Sequence, residues 1–231
     1  MKRIRLAVIT VRSALGEIGG AERLYAGLVH ALNFDNVEAE EISLPSDESG
    51  FENILSSYLH FYELNLSGFD GVISTKAPSY MVRHPNHVCY LHTIRVFYDM
   101  FEKEFPSPWP DLLDQRRFIH RMDTAALSPP STRRIFVNGE EVRERLIQYN
   151  GLDAIVLHHP LDHDRYRSGM GDGGYAFLAS RLHRWKRLDL TIRAMEYVQT
   201  PIRLLIAGTG RMNPISGNWR DPAGGWCFSA A

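Results

Sequence analysis

The chain has 231 residues, 44% of them hydrophobic and 23% charged, which suits a soluble globular protein of one large domain or two small ones. A formal net charge of −1 excludes the global basicity of a nucleic-acid binder, so any anion binding is local. Two cysteines, Cys89 and Cys227, are too few for a disulfide framework and point to a reducing compartment.

The N-terminus, MKRIRLAVITV, is basic and then apolar. Its apolar part is too short and too interrupted for a signal-peptide core. No run approaches the ~18 apolar residues of a membrane span. The expected location is the cytoplasm, with peripheral contact to a membrane surface.

Residues 3–11 read as a strand that is apolar on both faces, as in the middle of a parallel sheet. After the loop RSALGEIGG, the repeat of Leu24, Leu28, Ala31 and Leu32 predicts a helix with one apolar face. Residues 37–43 form a second strand and 51–64 a helix. Short strands follow at 71–74 and 88–92. The proline-rich loop EFPSPWPDLL enters a helix that runs to about residue 126 and is broken by SPPSTRR. Residues 135–137 are a strand. Asn138 then reads as an N-cap, with Glu141 completing a capping box. Val142, Leu146 and Tyr149 mark that helix's buried face, and Gly151 ends it. Residues 154–157 are another strand, followed by HHP.

Residues 168–174, SGMGDGG, read as a flexible linker. A second unit begins at Tyr175 with strand, helix and strand (202–207), then GTG. Residues 211–231 show neither helical nor strand periodicity. The organisation expected is a domain over 1–167, a linker over 168–174, a partial domain over 175–210 and an irregular tail over 211–231. Alternating strands and helices make the fold class α/β with parallel sheets.

In open parallel sheets, ligands sit beyond the carboxyl ends of the strands. Three loops there have suitable chemistry. Gly19-Gly20 opens a helix directly, which allows close backbone approach by an anion; the same residues also read as a plain strand-to-helix turn. The second loop follows the strand YAFLA and carries four cations: Arg181, Arg184, Lys186 and Arg187. Cations at a helix N-terminus oppose its dipole, and a diphosphate gripped by Arg181 and Lys186 would relieve that conflict. The bland alternative is a solvated basic turn, the expected role of Arg184 and Arg187. The third loop is 208-GTG-210, where Gly208 and Gly210 again permit close approach. His92, at a strand end, could position a hydroxyl or serve the core. His158-His159 lacks a second ligand cluster, so no metal site is expected. The dinucleotide fingerprint GxGxxG is absent after the first strand, which argues against a Rossmann dehydrogenase.

ASRLHRWKRLDLTIRAM resembles the donor-site motif of glycosyltransferase family 4, and GGAERL resembles that family's N-terminal glycine loop. HPNHVCYLHTIRVFYDMF, IFVNGEEVRERLIQY with HHPLD, and LLIAGTG match in the family's order. The resemblance covers residues 3 to about 210, and the first of those three segments is similar to a mannosyltransferase-like branch. It implies the GT-B architecture, with two Rossmann-like domains facing across a cleft. The first domain is complete here and the second incomplete.

The resemblance also implies retaining transfer of a sugar, mannose at branch level, from a nucleotide-sugar to a glycan or lipid-linked acceptor, without metal or other cofactor. It assigns Arg181 and Lys186 to the donor diphosphate, opposite Gly19 and Gly20, and His92 to the catalytic centre near the transferred sugar. Gly208 and Gly210 would form donor-site backbone. Two departures stand out. The family's spaced pair of glutamates has no counterpart after Gly210, where the tail contains no glutamate, and Gly139 replaces a frequent serine or threonine. The chain as given is therefore expected to be impaired in transfer. The alternative is a non-catalytic binding or partner-interaction unit.

Overall fold

The computed structural model describes residues 3–12, 19–93, 97–159, 169, 173–182 and 186–208, with the backbone of 226–229. The chain divides into two compact units, Met1–Asp162 and His163–Ala231. Much of the glycine-rich stretch 168–174 and the whole of 211–225 lie outside the described residues.

The first unit is a Rossmann-like α/β layer structure. Its strands are β1 (Ile4–Arg12), β2 (Val37–Pro45), β3 (Gly71–Ser74), β4 (His87–Leu91), β5 (Arg134–Val137) and β6 (Ile155–Val156). All five pairings are parallel, in the order β2-β1-β3-β4-β5-β6. The helices are α1 (Gly20–Leu32), α2 (Phe51–Tyr62), the single turn α3 (Phe101–Glu104), α4 (Pro110–Leu127) and α5 (Glu140–Asn150).

Strand β1 shows why this sequence makes an interior strand. Ala7, Val8, Ile9, Thr10 and Val11 are all buried, so neither face meets water. Ala7, Ile9 and Val11 pack with Phe61 of α2, Leu66, Val72 and Val82. A second cluster joins Cys89 and Leu91 of β4 to Ile135 and Val137 of β5, Leu127 of α4, and Val142 and Leu146 of α5.

The core also encloses a carboxylate. Asp123 of α4 accepts hydrogen bonds from Tyr58 (2.7 Å) and Tyr98 (2.5 Å), and burial pushes its pKa up. The pair of phenols compensates for taking the carboxylate out of water. It ties α2 and the segment around Tyr98 to α4.

Two local expectations need correction. The buried face of α1 is set by fully buried Tyr25, with half-buried Leu28, Val29 and Leu32, while Ala31 is exposed. The tyrosine was missed because its hydroxyl makes it look polar, yet it sits in phase with that stripe at i, i+3, i+4 and i+7. The N-cap of α5 is Gly139 and not Asn138. The Asn138 backbone instead continues the sheet, donating to the Leu91 carbonyl, and Glu141 pairs with Arg145 at 2.8 Å. Gly151 does end α5, in the left-handed region at φ 65°.

The second unit has β7 (Tyr175–Ala179), α6 (Leu188–Ala194), a 3₁₀ turn (Met195–Tyr197), β8 (Arg203–Ala207) and β9 (Trp226–Ser229). β7 and β8 are parallel, whereas β9 runs antiparallel to β8. The tail is therefore not irregular throughout. Its WCFS segment is too short for periodicity to reveal, but it pairs with the backbone edge that β8 offers. Leu188, Met195, Leu204 and Ile206 close a small core on one face of this sheet.

Candidate functional site

The strand order of the first unit reverses between β1 and β3. The chain steps outward from β1 to β2, then returns past β1 to build the rest of the sheet. The carboxyl ends of β1 and β3 lie side by side at that point, which is where open sheets of this order leave a ligand crevice.

Helix α1 starts at this crevice. Gly19, its N-cap, has extended backbone, and its amide donates to the Glu22 carboxylate at 2.7 Å. Glu22 thus supplies the side-chain arm of a capping box, and its negative charge suits the helix N-terminus. Among the described residues, a Cβ on Gly20 would meet nothing within 4 Å. Residues 13–18 of the preceding loop lie outside the described residues.

One turn further along α1, the Tyr25 hydroxyl lies 2.8 Å from His92 Nε2, and the two rings are tilted with centroids 5.6 Å apart. His92 directly follows β4. The glycine turn and His92, more than seventy residues apart in sequence, are thereby joined through the first turns of one helix. Thr75 lies just past β3 and donates to the Ile9 carbonyl of β1 at 3.1 Å, bridging the two strands that flank the crevice. Lys76 follows it, half-buried and near enough for its charge to act on His92. At the β1–β2 side, Thr10 donates to Glu41 at 2.6 Å.

The electrostatics make both central groups neutral. Burial, with the positive charge of Lys76 next, drives His92 down to about 4, against the opposing pull of Glu22. Burial pushes the Tyr25 phenol up to about 12. At neutral pH the pair is therefore an uncharged imidazole against an uncharged phenol.

In the second unit, Arg181 and Lys186 are exposed on the turn between β7 and α6; Arg184 lies outside the described residues. Lys186 precedes the N-cap of α6, which is Arg187 in the left-handed region at φ 49°. Arg187 spans the Asp189 carboxylate with two contacts, Nε and Nη2, both at 3.2 Å. Part of the charge conflict expected at this helix start is thus answered by Asp189 within the chain. Gly208 also has an internal reason to be glycine: a Cβ there would sit 1.7 Å from the Ser180 carbonyl oxygen, where the ends of β7 and β8 converge. Gly210 lies outside the described residues.

His158 lies beyond β6 with Nδ1 3.2 Å from the Asn138 carbonyl, and among the described residues no three His, Cys, Asp or Glu side chains gather to hold a metal. Among the described residues, too, no helix is long and apolar enough to cross a membrane. Sequence reasoning did not single out Glu22, Tyr25, Thr75 or Lys76. The usable signal was positional, since each sits in the first turns of α1 or just past β3 at the reversal of strand order.

No family model matches this chain, and no curated protein matches it.

Proposed function

We propose that the chain is a retaining glycosyltransferase of the family 4 type, with a GT-B-like pair of Rossmann-like units. It moves a sugar, mannose at branch level, from a nucleotide-sugar to a glycan or lipid-linked acceptor. The observation that carries this reading is the joining of the glycine turn and His92 through α1. The helix that the glycine turn opens touches His92 through Tyr25, and the two motifs, ordered as in that family, flank the part of the sheet where such folds hold ligands.

The chemistry follows from the side chains. Transfer leaves a nucleoside diphosphate on which negative charge builds as the glycosidic bond breaks. Arg181 and Lys186 neutralise that charge, the kind of electrostatic term that dominates many such reactions. Gly19 and open-sided Gly20 let backbone amides approach the phosphates. His92, uncharged, orients the sugar by hydrogen bonding. No step of this reading requires a metal or a further cofactor.

A second reading is favoured by one feature: residues 211–231 contain no glutamate to hold the donor sugar or ribose. On that reading the chain binds nucleotide-sugar or a partner without transfer. Purified chain incubated with UDP-, GDP- and ADP-sugars and glycan or lipid-linked acceptors separates the two. Donor-dependent glycosylated product supports transfer. Nucleotide binding without product supports the second reading. Absence of both binding and product refutes the first reading and leaves only partner binding of the second.

A further inference from the structure

We propose that Lys76 is a phosphate-binding residue of the crevice, holding a phosphoryl oxygen of the donor nucleotide or of a phosphorylated acceptor. The inference rests on the proposed transfer reaction for the identity of the ligand, while the placement of the charge is a property of the fold.

Among the described residues, the half-buried lysines and arginines are Lys76, Arg116, Arg143 and Arg145. Each of the three arginines has a carboxylate partner. Arg116 meets Glu102, Arg143 meets Glu140 and Asp153, and Arg145 meets Asp99 and Glu141. Among the described residues, no carboxylate lies within ion-pair distance of the Lys76 ammonium, and no acceptor takes a hydrogen bond from it. Drawing a cation out of water has a cost, which the arginines offset through their partners. Lys76 holds three ammonium protons to donate.

Half-burial alone would be answered by a stem that lifts its charge to water. The ligand reading comes from where that stem is rooted. Thr75 is fully buried, donates its hydroxyl to the Ile9 carbonyl of β1, and donates its amide to Ser79 Oγ at 2.9 Å. The Lys76 carbonyl accepts from the Ser79 amide at 2.7 Å. The base of the side chain is thus fixed before a ligand arrives, which lowers the ordering cost of binding. Ser74 of β3 pairs with Cys89 of β4, so Lys76 and His92 leave the same edge of two adjacent strands. That edge borders the reversal of strand order.

The other groups there do not answer the charge. Glu22 turns its carboxylate to the Gly19 amide at the positive end of α1, and Glu41 accepts from Thr10. His92 and Tyr25 are neutral at pH 7. An anionic oxygen is the complementary partner, and lysine serves phosphate as a compact point charge. Of the substrates proposed above, the donor carries a diphosphate, and a lipid-linked acceptor can carry phosphate at its linkage.

Calorimetry of the whole chain with UDP, GDP and ADP reads the donor source, and with mannose 6-phosphate a phosphorylated acceptor. Lys76→Met keeps the stem and removes the charge. It is expected to weaken the phosphate that binds by about tenfold or more, the scale of one charged hydrogen bond. Weaker nucleotide binding assigns Lys76 to the donor, and weaker sugar-phosphate binding assigns it to the acceptor. Binding of none of these ligands, or equal affinity in Lys76→Met, overturns the proposal. If Lys76→Met does not fold, acetylation of the wild-type chain decides, since its lysines are Lys2, Lys76, Lys103 and Lys186 and peptide mass separates them. Protection of Lys76 by the bound phosphate supports the proposal, and unchanged acetylation overturns it. Phosphate binding through Lys76 without sugar transfer would leave this result standing and count against the proposed function. Sugar transfer unaltered in Lys76→Met would do the reverse.

Discussion

The two sheets of this protein solve the same problem to different degrees. In the first unit, β1 buries five consecutive residues and β3 is buried at three of its four positions. In the second, β7 alternates, with Tyr175, Phe177 and Ala179 exposed and Ala176 and Leu178 half-buried. The neighbours of the exposed residues on β8, Arg203, Leu205 and Ala207, lie on that same open face by register. The first sheet has helices enough to cover its two sides. Among the described residues, the second has one short α-helix, which covers one side. Parallel strands gain most from two-sided burial, so the first sheet is the better buried of the two. The Tyr25–His92 contact belongs to the first sheet, and Arg181 and Lys186 to the second.

Core truncation is the strongest way to probe this contrast. Leu91→Ala, at a fully buried position of β4, is expected to destabilise the first unit by about 2–5 kcal/mol. Leu178→Ala, at a half-buried position of β7, is expected to fall at or below the low end of that range. Denaturant unfolding followed separately in the two units by hydrogen exchange checks the ranking, and an equal loss for both substitutions would erase the distinction.

Acid is the next lever. A histidine with a depressed folded pKa gives stability that is complete above its unfolded value and is lost as pH falls toward the folded value, because the unfolded chain takes the proton first. For His92 the window runs from the ordinary value of 6.5 down to about 4 and is worth about 3 kcal/mol. Buried His87 and half-buried His120 are lowered as well and add with the same sign, whereas Asp123, raised by burial, acts in the opposite sense as it gains a proton. All four lie in the first unit. Its stability is therefore expected to fall on acidification through this window, by a smaller amount in His92→Gln. A flat profile would contradict the assignment of His92 as a neutral, buried ring.

The contrast itself was not legible in the sequence, since the apolar run YAFLA reads as a buried strand yet exposes Tyr175, Phe177 and Ala179, but the fold class and the first strand were. The unbroken apolar run of β1 announced an interior strand, and the alternation of strand and helix announced the α/β class. What could not be read was anything that depends on meeting partners. Tyr25 is a core residue only because β3 and β4 deliver Thr75 and His92 to it. Asp123 is tolerable only because Tyr58 and Tyr98 arrive from other segments. Asn138 looked like a cap because its neighbour, Gly139, has no side chain with which to announce the role. Of the candidate site, Gly19, Gly20 and His92 were readable from motif order, while Gly208 was readable as glycine but not as the residue that yields space to Ser180.

Smaller effects sharpen the comparison. Gly20→Ala fills open space at the first position of α1 and is expected to stabilise the first unit by about 0.4–1 kcal/mol. If Gly20 keeps clear a path for phosphate, the same variant binds nucleoside diphosphate more weakly, and calorimetry alongside thermal melting would show the two effects with opposite signs. Unaltered binding in the stabilised variant would remove Gly20 from the site. Phe177→Ser, on the open face of β7, is expected to change stability by no more than about 0.5 kcal/mol, whereas a large loss would mean that this face is covered.

The most direct test of the central claim is calorimetric titration of the whole chain with UDP, GDP and ADP, repeated with Lys186→Ala. If the basic turn after β7 grips a donor diphosphate, at least one nucleotide binds, and the substitution weakens it by about 1–3 kcal/mol, the scale of a charged hydrogen bond. Absence of binding by all three nucleotides, or equal affinity in a folded Lys186→Ala variant, would contradict the account.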